Sequence, residues 1–173
     1  KHHPNPGKEI IDGIDVIYVK NDYSNYFSSY RKIISFLKFV FLSIREANKL
    51  KDIDLVFATS TPLTVGVIAL WLKIIKRWNY IFEVRDLWPE FPIQIGAIKN
   101  KLLIYFLRKF EKLIYNKALH VIALSPGMEE GVLKTGITPD KVSMIPNMSK
   151  PDIFYPRIPS TSIVEKMSID LNK

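Results

Sequence analysis

Cysteine is absent from all 173 residues, which excludes disulfides, thiolate nucleophiles and thiolate metal sites. That absence suits a cytoplasmic setting. Histidine is scarce, with three in the chain, and His, Asp and Glu nowhere fall at metal-ligand spacing, so no metal and no cofactor is expected. The seven glycines form neither a Walker-type loop nor a GxGxxG, and no nucleophile elbow is present. No apolar run reaches the ~20 residues of a membrane-spanning helix. There is no arginine-rich block or zinc-finger spacing, so nucleic acid is not an expected partner. Internal repeats and low-complexity tracts are also missing.

What is present describes one folded unit. A hydrophobic content of 47% and an aromatic content of 12% place the chain with folded proteins, and its length suits a single domain. Lys and Arg number 25 against 17 Asp and Glu, a net charge of +8. Such an excess favours an anionic partner: a phosphorylated ligand or an acidic lipid surface. The opening KHHPNPGK has neither an initiating Met nor signal-peptide character and reads as an internal starting point.

Taken in order, residues 1–13 read as a loop and residues 14–19 (IDVIYV) as a strand. Residues 30–50 read as a helix, nearly all apolar between Ile33 and Ile44 except for Ser35, Lys38 and Ser43. That helix either packs on a sheet through a wide apolar face or lays Phe36, Phe39, Phe41 and Lys38 against a membrane interface. Residues 54–59 (DLVFAT) read as a buried strand and 63–78 as a helix with a basic end. Residues 80–84 read as the next strand, 85–98 as a loop, and 99–116 as an amphipathic helix with a solvated basic face. A strand at 119–124, a short helix through Leu133 capped by Gly136, and a strand at 142–145 complete the pattern. Residues beyond 156 read as a linker with a short helix near 162–167. The β-α alternation predicts an α/β fold: a Rossmann-like parallel sheet with helices on both faces.

Three strand ends then converge on one crevice. The run YIFEVRDLWPE (residues 80–90) breaks from an apolar strand into Arg85 and Asp86, at the sheet edge where ligands sit in open α/β folds. A structural ion pair would explain the same two residues. Ser60-Thr61-Pro62 and Ser125-Pro126-Gly127 each read as a helix N-cap followed by proline, which is either an ordinary cap or a place for an anion or sugar hydroxyl. His120 lies within a strand and reads as a core or edge residue.

Several motifs together resemble the amino-terminal domain of family 4 glycosyltransferases: VRDLWPE at 84–90, ALSPGM at 123–128, IPN at 145–147, IFYP at 153–156 and HHPNPGK near the start. The nearest branch is the one that builds capsule, O-antigen, lipopolysaccharide and exopolysaccharide chains and includes fucosamine transferases. The resemblance implies one incomplete half of a GT-B two-domain fold: residues 1–156 as the acceptor-side domain without its first strands, and 157–173 as a linker toward a donor-binding domain beyond it. It implies transfer of a sugar, of hexosyltransferase type and with retention, from a nucleotide-sugar donor to an undecaprenyl-diphosphate-linked saccharide acceptor. The donor is a substrate held mainly by the other domain, and no metal is involved. The setting would be cytoplasmic, peripheral to the inner face of the cell membrane, with an anionic membrane surface as partner. By the same resemblance Asp86 and Arg85 are the catalytic candidates, and Glu90, Ser60, Thr61, Ser125, Gly127 and His3 the substrate-binding ones. Arg85 stands where many members carry histidine, and it either takes over that histidine's role or counters a diphosphate or positions Asp86, which a guanidinium there suits. The competing expectation is a non-catalytic module that binds an acidic glycan or lipid headgroup.

Overall fold

A computed structural model describes residues 7–24, 26–60 and 63–148. The expected helix near 162–167, the 157–173 linker, His3 and Thr61 lie outside the described residues. Within them, four parallel strands form one sheet in the order β3-β4-β5-β6: β3 (Leu55–Ser60), β4 (Asn79–Val84), β5 (His120–Ala123) and β6 (Val142–Met144). Five helices accompany them: α1 (Ser29–Ala47), α2 (Val65–Trp71), α3 (Glu90–Gln94), α4 (Lys101–Lys117) and α5 (Pro126–Leu133). A parallel sheet flanked by helices is the Rossmann-like layering that the alternation predicts.

The sequence expectation fails at the amino end. Residues 7–11 form a strand, β1 (Gly7–Ile11), rather than a loop, and it pairs antiparallel with β2 (Ile14–Tyr18). The pair is a separate two-stranded sheet, so residues 14–18 do not enter the parallel one. The cause is local. Asp12 and Gly13 both have positive φ (50° and 80°) between the paired Ile11 and Ile14, the backbone that a two-residue hairpin turn demands. Among the described residues each strand of this hairpin pairs only with the other.

The core sits on one face of the parallel sheet. Ala58, Tyr80, Phe82, Val84 and Val121 point to it, and Leu70, Ile114, Tyr115 and Val132 close over them from the helices. Gly66 of α2 lets α4 approach, since a Cβ there would collide with the Ile114 side chain. The Tyr80 hydroxyl donates to the Ile114 carbonyl (2.5 Å), so its polar tip is satisfied where burial pushes its pKa up. On the opposite face the side chains are more open and partly polar. The Thr59 hydroxyl donates to the Glu83 carboxylate, and His120 Nε2 lies 2.8 Å from the Ser143 hydroxyl. His120 is thus a strand residue with a cross-strand partner.

Ser35, the polar interruption in the apolar stretch of α1, is buried. Its hydroxyl donates to the Asp22 carbonyl (2.9 Å) and accepts from Asn21 Nδ2 (3.0 Å), tying α1 to the chain before it. The predicted helix over 63–78 is real but not uniform: α2 passes into a π-helical stretch, Leu72–Lys76, and stops at Arg77 in a left-handed conformation. The loop expected over 85–98 contains α3, which follows a buried Pro89. Pro89 and Pro92 sit at the start of that helix, where the missing N–H groups would have had no helical partner.

Candidate functional site

The register sets the site. Ser60 aligns with Val84, and Val84 with Ala123, so β3, β4 and β5 end level at the carboxyl edge. The residues that follow emerge together: Arg85 and Asp86 after β4, Ser125 after β5. The Ile145 N–H donates to the Ala123 carbonyl (2.8 Å), which brings Pro146 and Asn147 to the same edge.

The side chains expected at the edge divide into three groups. Arg85 and Asp86 are exposed there. Ser125 is the N-cap of α5, its hydroxyl accepting from the Met128 N–H (3.3 Å), with Pro126 in the first turn. Gly127 is exposed, and a Cβ added to it would meet nothing within 4 Å. Packing therefore does not require glycine at 127, and the first turn of α5 lies open to whatever occupies the edge.

Ser60 and Glu90 have other geometries than the sequence implies. Ser60 was expected to cap the following helix. It instead ends β3, is buried at 3% exposure, and its hydroxyl accepts from the Arg85 N–H (3.1 Å). The helix begins later, at Val65, with Thr64 at its N-cap position and no side-chain cap. Buried beneath the loop it holds, Ser60 supports the position of Arg85. Glu90 turns toward α4, where its carboxylate pairs with Arg108 (3.0 Å).

That pair belongs to a second concavity. An open groove of about 830 Å³ runs between α3, α4 and α5 over Leu87, and Arg108, Lys109, Lys112 and Lys134 stand around it. Glu111 lies in its floor at 7% exposure. Burial pushes its pKa up to about 7 and nearby Glu90 adds to the rise, while the Tyr115 hydroxyl and Arg108 pull the other way. Burial first, and then the Glu111 charge, also hold the Tyr115 hydroxyl well above the usual range. The sequence reading, which took the basic face of this helix as solvated, missed Glu111. The signal was its place on the apolar stripe, four residues after Leu107 and four before Tyr115.

The edge site can bind hydroxyls through Asp86 and Ser125 and counter negative charge through Arg85 and the first N–H groups of α5. Among the described residues no group of His, Asp and Glu side chains could hold a metal ion. No helix among them is long and apolar enough to cross a membrane. No curated protein matches the chain. The family model described as Glycosyltransferase Family 4 matches residues 3–151, spanning all four parallel strands and the edge they share. The chain belongs to glycosyltransferase family 4.

Proposed function

We propose that the chain is the acceptor-side domain of an enzyme that moves a sugar from a nucleotide-sugar donor to a lipid-diphosphate-linked saccharide in the assembly of a cell-surface polysaccharide. Family membership supports the reaction class. The observation that supports the site is the Ser60–Arg85 hydrogen bond, which holds the Arg85-Asp86 loop at the level where β3, β4 and β5 end. In the reaction, the bond from the anomeric carbon to the diphosphate oxygen breaks. An acceptor hydroxyl forms the new bond and loses its proton, and the nucleoside diphosphate leaves. Asp86 hydrogen-bonds a sugar hydroxyl, and Arg85 offsets diphosphate charge or holds Asp86 in place. Ser125 and Gly127 shape the adjoining wall.

The proposed setting is the inner face of a membrane. Tyr30, Ile33, Leu37 and Phe41 recur at three- and four-residue steps on α1, and all are exposed. Together with the net charge of +8 this supports peripheral attachment to anionic lipid. The facing side chains differ in part from those expected: Phe36 stacks on Tyr23 with ring centroids 5.5 Å apart, and Phe39 is half-buried.

The test is transfer of labelled sugar from a panel of nucleotide sugars to lipid-linked acceptor by the protein carrying this domain, with and without Asp86→Asn. The expected result is turnover by the parent and a loss of about a hundredfold or more in the variant, the scale of a lost catalytic polar contact. Full turnover by the variant would remove Asp86 from the reaction.

A further inference from the structure

The groove between α3, α4 and α5 shares none of Arg85, Asp86, Ser125 or Gly127. Its volume of about 830 Å³ falls within the usual range for small-molecule sites. Five cationic side chains line it against two carboxylates: Lys101, Arg108, Lys109, Lys112 and Lys134 face Glu90 and Glu111. One of the two acids is already occupied, since Glu90 is paired with Arg108. Lys134 pairs with Glu130 outside the groove. Lys101, Lys109 and Lys112 have no carboxylate partner among the described residues. Lys109 instead rests its ammonium 5.6 Å from the centre of the Tyr105 ring, and the Lys112 ammonium reaches toward Gly136, in the chain after α5. Leu87, Ile93 and Ile104 supply apolar lining, beside Thr135 and the ring of Tyr105. Like-charged lysines held around one groove repel one another, and an anion lying among them relieves that repulsion.

We infer that this groove is a second ligand site, which binds a phosphate or diphosphate group between Lys109 and Lys112, one turn apart on α4, while Leu87, Ile93 and Ile104 receive the part of the ligand attached to it. The inference goes beyond the transfer reaction and does not require it.

Glu111 gives the site a pH signature. The groups facing it are Tyr115 and Arg108 from α4, Glu90 from α3, and the surrounding lysines, including Lys134 from α5. Near pH 6 its carboxyl is mostly protonated and the groove is at its most positive. Toward pH 8 it ionises beneath the ligand. For an anion of fixed charge, affinity therefore falls as pH rises across neutrality.

The experiment is calorimetric titration of the 173-residue chain with inorganic pyrophosphate at low ionic strength, where exposed charges are least screened. One saturable site is expected, and the ratio of parent to Glu111→Gln affinity, which cancels the proton loss of pyrophosphate itself, is expected to be several-fold higher at about pH 6 than at about pH 8. Lys109→Gln/Lys112→Gln is expected to weaken binding tenfold or more, Lys112→Arg to retain it, and Glu111→Gln to match the parent at about pH 6. Lys20→Gln/Lys51→Gln, which removes the same charge elsewhere, is expected to leave affinity unchanged. Vesicles containing phosphatidylglycerol distinguish the ligand's source. Co-sedimentation that pyrophosphate displaces identifies a lipid headgroup, whereas pyrophosphate binding without such displacement identifies a soluble phosphorylated ligand. The inference is overturned by absence of saturable pyrophosphate binding, or by equal losses in the two double variants, which would reduce the effect to net charge. Neither result would touch the Asp86 assay, and failure of that assay would leave this one standing.

Discussion

Ser60 and Arg85, twenty-five residues apart in sequence, are joined by a hydrogen bond from the Arg85 N–H to the buried Ser60 hydroxyl at 3.1 Å. Neighbouring strands of the sheet are thereby locked at the point where both leave it. A serine that reads as a helix cap works here as a clasp between strand ends. Ser60→Ala leaves that backbone N–H without its partner and is expected to cost about 1–2 kcal/mol. The urea midpoint measures this loss, and an unchanged midpoint would show that the clasp carries no stability.

At the edge itself, Arg85 and Asp86 can be separated by conservative exchange. In the transfer assay Arg85→Lys keeps the charge but loses the planar fork. If Arg85 grips a diphosphate with two nitrogens, activity falls about tenfold or more in the lysine variant and about as far in Arg85→Gln. If it serves only as a positive charge, Arg85→Lys stays near the parent while Arg85→Gln falls. Asp86→Asn is expected to reduce kcat more than it raises KM.

At Gly66, α2 packs directly against Ile114 of α4. Gly66→Ala places a methyl group against Ile114, whose side chain is fully buried, and is expected to destabilise by about 1–3 kcal/mol through overpacking. Ile114→Val in the same chain makes room and should recover part of the loss. Thermal unfolding of the single and double variants measures both effects. Additive losses would show that the two positions do not press on each other.

Glu111 makes stability depend on pH in a direction opposite to that of a paired carboxylate. Its folded pKa, pushed up to about 7 from 4.5, means that between those values the folded chain holds a proton that the unfolded chain has released. Stability from this group is full below about pH 4.5 and declines as pH rises through 7, at up to about 1.4 kcal/mol per pH unit. Urea unfolding at pH 5 and pH 8, compared between the parent and Glu111→Gln, isolates the contribution. The variant is expected to show the smaller difference.

Attachment to lipid would depend on one line of α1. Leu37→Glu/Phe41→Glu puts charge where those exposed side chains would enter an interface and is expected to abolish co-sedimentation with anionic vesicles. Persistent binding would assign attachment to another surface, and equal binding of the parent to neutral vesicles would remove the electrostatic component.

Much of this architecture is legible in the sequence because it is written in periodicity. The strands at DLVFAT, YIFEV and HVIA are short and largely apolar, although among the described residues the first of them is an exposed border strand and not a buried one. The cap at Ser125, whose side chain accepts from the Met128 N–H, can be read directly. Three features were misread. The Asp12-Gly13 turn was treated as part of a loop although it lies between Ile11 and Ile14, where a two-residue turn dictates a hairpin. Residues 85–98 read as a loop, yet Pro89 and Pro92 fall where a helix tolerates proline. Ser60 looked like a cap because caps are recognised by residue type, whereas its actual partner, Arg85, lies across the sheet and leaves no mark in the local sequence. The edge site was legible because its residues follow strands whose order could be inferred. The groove was not, since it depends on how three helices far apart in sequence lean together.

Among the described residues β3 borders the sheet, with Leu55 and Phe57 facing outward. It carries no proline and no charged side chain to discourage pairing. Its outer row of backbone donors and acceptors is a template on which another extended segment can add. Protein concentration is therefore a variable in every titration above: strand addition between copies would draw down the monomer. Sedimentation of the chain at two concentrations, alongside a Phe57→Lys variant, separates the behaviour of the lone domain from that of its self-associated form.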